Sequence, residues 1–156
     1  MQANVINPFL SASVHVLESV IQVKPILGEL KLQTIQGGAD FIWLRIGIVG
    51  QVTGDIIFGF PQLVALRIAS GMMGGYVLTQ FDELSRSAIS ELGNMISGNA
   101  TTMLYNQGIK IDITPPSFLQ SEIPLESGQA ITIPLHLEQI GEFNICVLVD
   151  RITPSS

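Results

Sequence analysis

Five residues in "SAISELGNMISGNATTML" (positions 87–104) stand out for their types and spacing: Ser87, Glu91, Asn94, Gly98 and Thr101. At about 100° per helical residue they share an arc of about 80°. Such a strip holds out a carboxylate, which can pair with a cation. One turn on it holds out a carboxamide, which both accepts and donates hydrogen bonds. Ala88, Ile89, Leu92, Met95, Ile96, Ala100 and Met103 fill the opposite side. Gly93 falls among them, where a missing side chain permits close approach. The alternative is the wet face of an amphipathic helix. Against it, an ordinary solvated face collects Lys, Glu and Arg, whereas this one has a single charge over four turns. Glycine at 98 also costs about 1 kcal/mol against alanine in an exposed helix interior. It makes sense if another backbone or a partner comes close there.

Other candidate chemistry is thin. His15 and His136 are remote in sequence and have no acidic or cysteine partners at ligand spacing, so no metal site is expected. "GMMGG" (71–75) lacks the lysine and hydroxyl residue of a phosphate loop. No Gly-x-Ser-x-Gly elbow is present, which argues against a serine hydrolase. The single cysteine, Cys146, lies in an apolar run and is expected to be a buried, inert thiol. Trp43 is expected to be core rather than a binding platform.

The elements that must position the strip can be read along the chain. Asn7-Pro8 predicts a helix start, with the helix running to about Val23 before Pro25. Residues 27–35 read as a strand, Gly37-Gly38 as a turn, and 41–50 as a strand buried on most of both faces. Val52-Thr53-Gly54-Asp55 is expected to turn the chain into the strand "IIFGF". Pro61 opens a helix ending near Gly71. Thr79 is expected to cap the longest helix, with Asp82 at the third position of a capping box, and Gly108 to end it. A short strand at 109–113 precedes a loop marked by Pro115, Pro116 and Pro124. Residues 129–138 and 142–149 predict a hairpin around Gly141, and the tail "TPSS" is expected to fray. The order helix, strand, hairpin occurs twice, and "GDIIFGF" (54–60) resembles "GEFNICV" (141–147). The expectation is an α+β fold: one domain over 1–156, with pseudo-repeats at about 1–72 and 79–150. It has a pseudo-two-fold, mostly antiparallel sheet and two long helices packed on it.

Composition narrows the class. The chain has 156 residues, 47% hydrophobic and 13% charged, with a net charge of −6 and seven Lys+Arg. An average domain has roughly 25% charged residues. Few cations argue against nucleic acid and against an anionic membrane surface. No run approaches the ~18 apolar residues of a membrane span, and no signal peptide is visible. A cytoplasmic protein is expected. Mean hydropathy is +0.46, high enough that part of the apolar surface is expected to lie in an oligomer interface.

Ser87-x3-Glu91-x2-Asn94, followed about twenty residues later by Pro115-Pro116, resembles the active-site signature of the CheC/CheX/FliY phosphatases of bacterial chemotaxis. "INPFLSASVHVLESV" and the two glycine-turn hairpins resemble the CheX branch, and the resemblance covers essentially the whole chain. It implies hydrolysis of the aspartyl phosphate of a CheY-type receiver domain. Asn94 would place the attacking water. Glu91 would pair with a lysine at the receiver's phosphorylation site, and Ser87, Gly98 and Thr101 would border the docking surface. Magnesium would belong to the receiver, with no cofactor bound by this chain. The first helix offers Ser11-x3-His15-x2-Glu18 and so lacks the Glu-Asn pair, which implies one active site per chain. A homodimer is expected, since CheX relatives pair through their sheets. The alternative is a non-enzymatic module of the same fold: a receiver-binding adaptor, or a domain like the middle domain of a flagellar switch protein.

Overall fold

Strands with apolar residues on alternate positions need a cover on one face, and the helices supply it. A computed structural model describes residues 3–35, 39–119 and 129–152. In chain order these form α1 (Ala3–Ile21), β1 (Ile26–Leu27), β2 (Lys31–Thr34), β3 (Phe41–Gly50), β4 (Val52–Pro61), α2 (Gln62–Met72), α3 (Glu83–Asn106), β5 (Ile111–Ile113), β6 (Ser117–Leu119), β7 (Gln129–Leu137) and β8 (Gly141–Ile152). The fold is α+β, and every strand pairing is antiparallel. The sheet runs β1-β7-β8-β4-β3-β5, with β2 also on β7 and β6 also on β3. The hairpins β3–β4 and β7–β8 thus meet along β4 and β8.

The two faces of the sheet carry different clusters. Leu44, Ile46, Ile56, Phe58, Phe60, Phe143 and Ile145 belong to the main core with the helices. Trp43, Ile57, Ala130 and Cys146, at the alternate positions, form a second, smaller cluster. Trp43 is buried, as expected, and its ring covers Gly59, where a Cβ would collide with it.

Several boundaries differ from expectation. The first helix starts by Ala3, and Pro8 lies inside it rather than at its first position. Val5 and Ile6 are buried in the main core, and their burial outweighs the one hydrogen bond that proline forfeits. The expected turn at Val52-Thr53-Gly54-Asp55 is strand; the chain reverses at Gly50-Gln51, where Gly50 has φ +115°. Gly54 marks a close backbone approach instead: a Cβ there would collide with the Leu148 carbonyl. Asp55 serves the strand by accepting from Arg45 Nε at 2.8 Å. Residues 27–35 divide into β1 and β2, which pair separately with β7. β6 lies in the stretch expected to be loop. Gly37-Gly38, Pro124 and the "TPSS" tail lie outside the described residues.

The longest helix begins later than expected. Asp82, not Thr79, is its N-cap: its carboxylate accepts from the Ser85 N–H at 3.3 Å. Aspartate is among the strongest caps, and the contact contributes about 1 kcal/mol. The buried Ser85 hydroxyl closes the same turn on Gln80 O and Asp82 O. Gly108, at φ +84°, ends the helix as expected, and the Ile109 N–H returns to Leu104 O at 2.9 Å.

Two glycines of α3 carry opposite expectations. At Gly93 a Cβ would lie 2.7 Å from Leu44 Cδ2, in the core, whereas at Gly98 nothing lies within 4 Å. Gly98→Ala should therefore raise stability by about 0.5–1 kcal/mol through helix propensity. Gly93→Ala should lower it, since overpacking costs about 1–3 kcal/mol. Urea midpoints should rank Gly98→Ala above the parent and Gly93→Ala below it.

Candidate active site

The strip exists because one side of α3 is spoken for. Ile89, Leu92, Ile96, Ala100 and Leu104 are buried in the main core, at about 1.5–3 kcal/mol for each large side chain. The helix packs on α1, α2, β3 and β5. Gly93 lets its backbone settle on Leu44 and Ile46 of β3, with Pro116 also beside it. These contacts fix the rotation of α3 about its own axis. Asn94 and Glu91 must then face away from the sheet, as 3.6 residues per turn requires.

Ser87, Glu91, Asn94 and Gly98 are all exposed, and Thr101 is half-buried. All five lie on one helix, as expected. Among the described residues, neither the Glu91 carboxylate nor the Asn94 carboxamide has a hydrogen-bond or ion-pair partner. Their neighbours are engaged within the chain. Ser97 donates to Gly93 O at 2.8 Å, Asn99 to Met95 O at 2.8 Å, and Thr101 to Ser97 O at 2.7 Å. Thr101 therefore offers a visitor its methyl group and acceptor lone pairs but not its proton. Asn94 and Asn99 differ sharply: one amide is spent on its own helix, the other is free.

The sequence reading missed a clamp at the start of the helix. The Arg86 guanidinium lies 4.6 Å from the centroid of Phe118 on β6 and 5.9 Å from that of Phe81. The two rings meet edge to face at 5.7 Å. Cation–π contacts of this kind contribute about 0.5–1 kcal/mol each at exposed sites. They tie the first turns of α3 to β6, one residue before Ser87. Phe118 is distant in sequence from Arg86, so the contact gives no local signal. Also missed were Leu84 and Tyr105, 56% and 63% exposed. Both share the strip's face, and extending the helical wheel by one turn at each end finds them. His15 and His136 lie apart on α1 and β7, both exposed. Ser11, His15 and Glu18 form an exposed row on α1.

A family model described as chemotaxis phosphatase CheX matches residues 42–136. Over 147 residues the chain is 30% identical to the CheY-P phosphatase CheX of Thermotoga maritima, covering 93% of this chain and 95% of that one. The CheX–CheY–BeF3–Mg2+ complex of Borrelia burgdorferi is similar with a TM-score of 0.77 at 29% identity, covering 92% of this chain and 96% of that one. A CheC-like superfamily protein from Shewanella sp. PV-4 is similar with a TM-score of 0.84 at 25% identity, covering 96% and 99%.

Cys146 is set apart from this site. It is buried in the second cluster and accepts from the Thr132 hydroxyl at 3.7 Å. Burial pushes its thiol up to about 11 from the ordinary value near 9, with the Thr132 hydrogen bond pulling the other way. The thiolate is therefore scarce at neutral pH, as expected of an inert cysteine. The folded state holds this proton more tightly than the unfolded state. The stabilisation is complete below about pH 9 and is lost as pH rises towards 11, by up to about 2–3 kcal/mol. Denaturant unfolding should show a shallower loss of stability for Cys146→Ala than for the parent across pH 9–11.

Proposed function

The chain belongs to the CheX family of chemotaxis phosphatases, and on that premise we propose that it hydrolyses the aspartyl phosphate of a CheY-type receiver domain. The observation that supports this most is the free Glu91–Asn94 pair, one turn apart on a helix whose rotation the core fixes. An acyl phosphate is already activated, so catalysis needs chiefly a water held in line with phosphorus. The Asn94 carboxamide oxygen accepts from that water and its nitrogen donates to neighbouring oxygens. The water oxygen bonds to phosphorus as the bond to the aspartyl oxygen breaks, releasing inorganic phosphate and restoring the carboxylate. Glu91 pairs with a lysine of the receiver and docks the helix. Ser87, Gly98 and Thr101 border the contact, and Gly98 allows the receiver to approach the helix backbone. Magnesium belongs to the receiver in this scheme.

The chain is read as two pseudo-repeats, residues 1–72 and 79–150. Support comes from the meeting of the two hairpins along β4 and β8. Ser11, His15 and Glu18 also repeat the spacing of Ser87, Glu91 and Asn94. With histidine and glutamate in place of glutamate and asparagine, α1 supplies no second pair. A homodimer is part of the same proposal. Ile26, Leu30 and Leu32 in the β1–β2 segment at one sheet edge are 65%, 52% and 63% exposed, an apolar edge that self-pairing would cover. Among the described residues no helix is long and apolar enough to cross a membrane. A cytoplasmic location accords with action on a receiver.

Phosphate release from a phosphorylated receiver tests the chemistry. Asn94→Ala should lower the accelerated rate at least about a hundredfold while leaving receiver binding intact. Glu91→Ala should also weaken binding, by about 2–3 kcal/mol. An adaptor would bind without speeding release, and normal turnover by the Asn94 variant would refute the assigned role. Sedimentation at micromolar concentration should give the mass of a dimer; a monomer would count against self-pairing.

A further inference from the structure

The Glu91–Asn94 pair is too small to choose a partner. A stable protein interface buries about 800 Å² on each side, a disc roughly 16 Å in radius. Centred on Asn94, such a disc reaches Tyr105, eleven residues on and about 16 Å along the helix axis. Tyr105 shares the strip's face and is 63% exposed. Beside it lies a concavity of about 630 Å³, between the β3–β4 turn at Gly50 and Gln51, the last turns of α3 at Thr101 and Tyr105, and Lys110 and Asp112 at the start of β5.

Two hydrogen bonds join the β3–β4 turn to the chain entering β5 at the rim of this concavity. Gln51 N donates to Lys110 O at 3.1 Å, and Gln51 Oε1 accepts from Lys110 N at 2.6 Å. Gly50, at φ +115°, has the Lys110 carbonyl 3.0 Å from where a Cβ would sit. Lys110 is exposed and has no ion-pair partner among the described residues; Asp112 shares the rim. The two bonds to Gln51 hold the Lys110 backbone, so an apolar, hydroxyl-bearing ring and a free ammonium are carried on a backbone ledge formed before any partner arrives. Tyrosine is also over-represented among residues that dominate interfaces.

We infer that Tyr105 and Lys110, with the concavity they rim, form a second docking point for the same receiver and select which receiver the enzyme accepts. The inference rests on the proposed receiver phosphatase reading and deepens it. The concavity continues the strip without a break, through Thr101, so a receiver seated on Asn94 overhangs it. Its chemistry suits a protruding receiver segment with a carboxylate beside an apolar side chain: the carboxylate meets Lys110 and the apolar part meets the Tyr105 ring. Tyr105 and Lys110 would act on binding and not on the reacting atoms.

The test measures affinity and turnover separately, using the full chain and a CheY-type receiver chosen from the host's set by binding. Binding of the receiver loaded with beryllofluoride and magnesium is measured by titration, and phosphate release by decay of the phosphorylated form. Tyr105→Ala and Lys110→Ala should each weaken binding about tenfold and leave kcat within twofold. Lys110→Glu should weaken it further, most strongly at low salt. Circular dichroism should show all three folded, as expected for exposed positions. Binding within twofold of the parent in both alanine variants would overturn the inference, even with Asn94→Ala inactive as proposed. If the parent chain binds but does not speed release, the chemical reading fails, while a tenfold loss in Tyr105→Ala still supports the docking point. If the parent binds no receiver, both fall.

Discussion

The rotation of α3 about its own axis is set where Gly93 meets the sheet. Without a side chain at that position, the helix backbone settles onto Leu44 and Ile46, with Pro116 alongside. A helix held at one such point and buried along Ile89, Leu92, Ile96 and Leu104 cannot turn without exposing that row. What faces outward is then decided by helical geometry alone. The free carboxylate and the free amide are held where they are by residues on the opposite side of the same rod. The Asp82 cap fixes the first turn of that rod, and the Arg86 clamp holds it against Phe118 of β6. The proposed chemistry needs direction more than reactivity, and these contacts supply direction.

The two long helices make a comparison within one chain. Each carries an exposed row at the same spacing: Ser11, His15 and Glu18 on α1, and Ser87, Glu91 and Asn94 on α3. Each also buries a serine whose hydroxyl donates to the carbonyl four residues earlier, Ser13 to Phe9 and Ser97 to Gly93. The spacing of the two rows is alike and their outward side chains are not. Under the proposed function, the difference between one site and two lies in the side chains of two positions in each row, not in the fold.

Much of this was legible in the sequence. The apolar side of α3 and the polar strip follow from period 3.6, and the strands from alternation. The departures from expectation share a cause: local signals give way where distant contacts decide. Gly54 looks like a turn residue, yet its lack of a side chain serves an approach by Leu148, far along the chain. Pro8 looks like a helix start, yet Val5 and Ile6 have core to bury and pull the helix past it. Thr79 and Asp82 are both acceptable caps on paper, and only the Ser85 geometry chooses between them. The Arg86 clamp joins residues from two elements about thirty positions apart, which no window of sequence displays.

The meeting of the two hairpins along β4 and β8 also bears on how the molecule forms. Ile56 pairs with Val147, so the middle of the sheet joins segments about ninety residues apart. Closing so long a loop carries its entropy cost before any contact repays it, and topologies rich in such pairings fold slowly. During synthesis β4 emerges well before its neighbour β8, with one of its hydrogen-bonding edges unpaired for that interval. The nascent chain is therefore most vulnerable to mispairing and aggregation while the final hairpin is still being made.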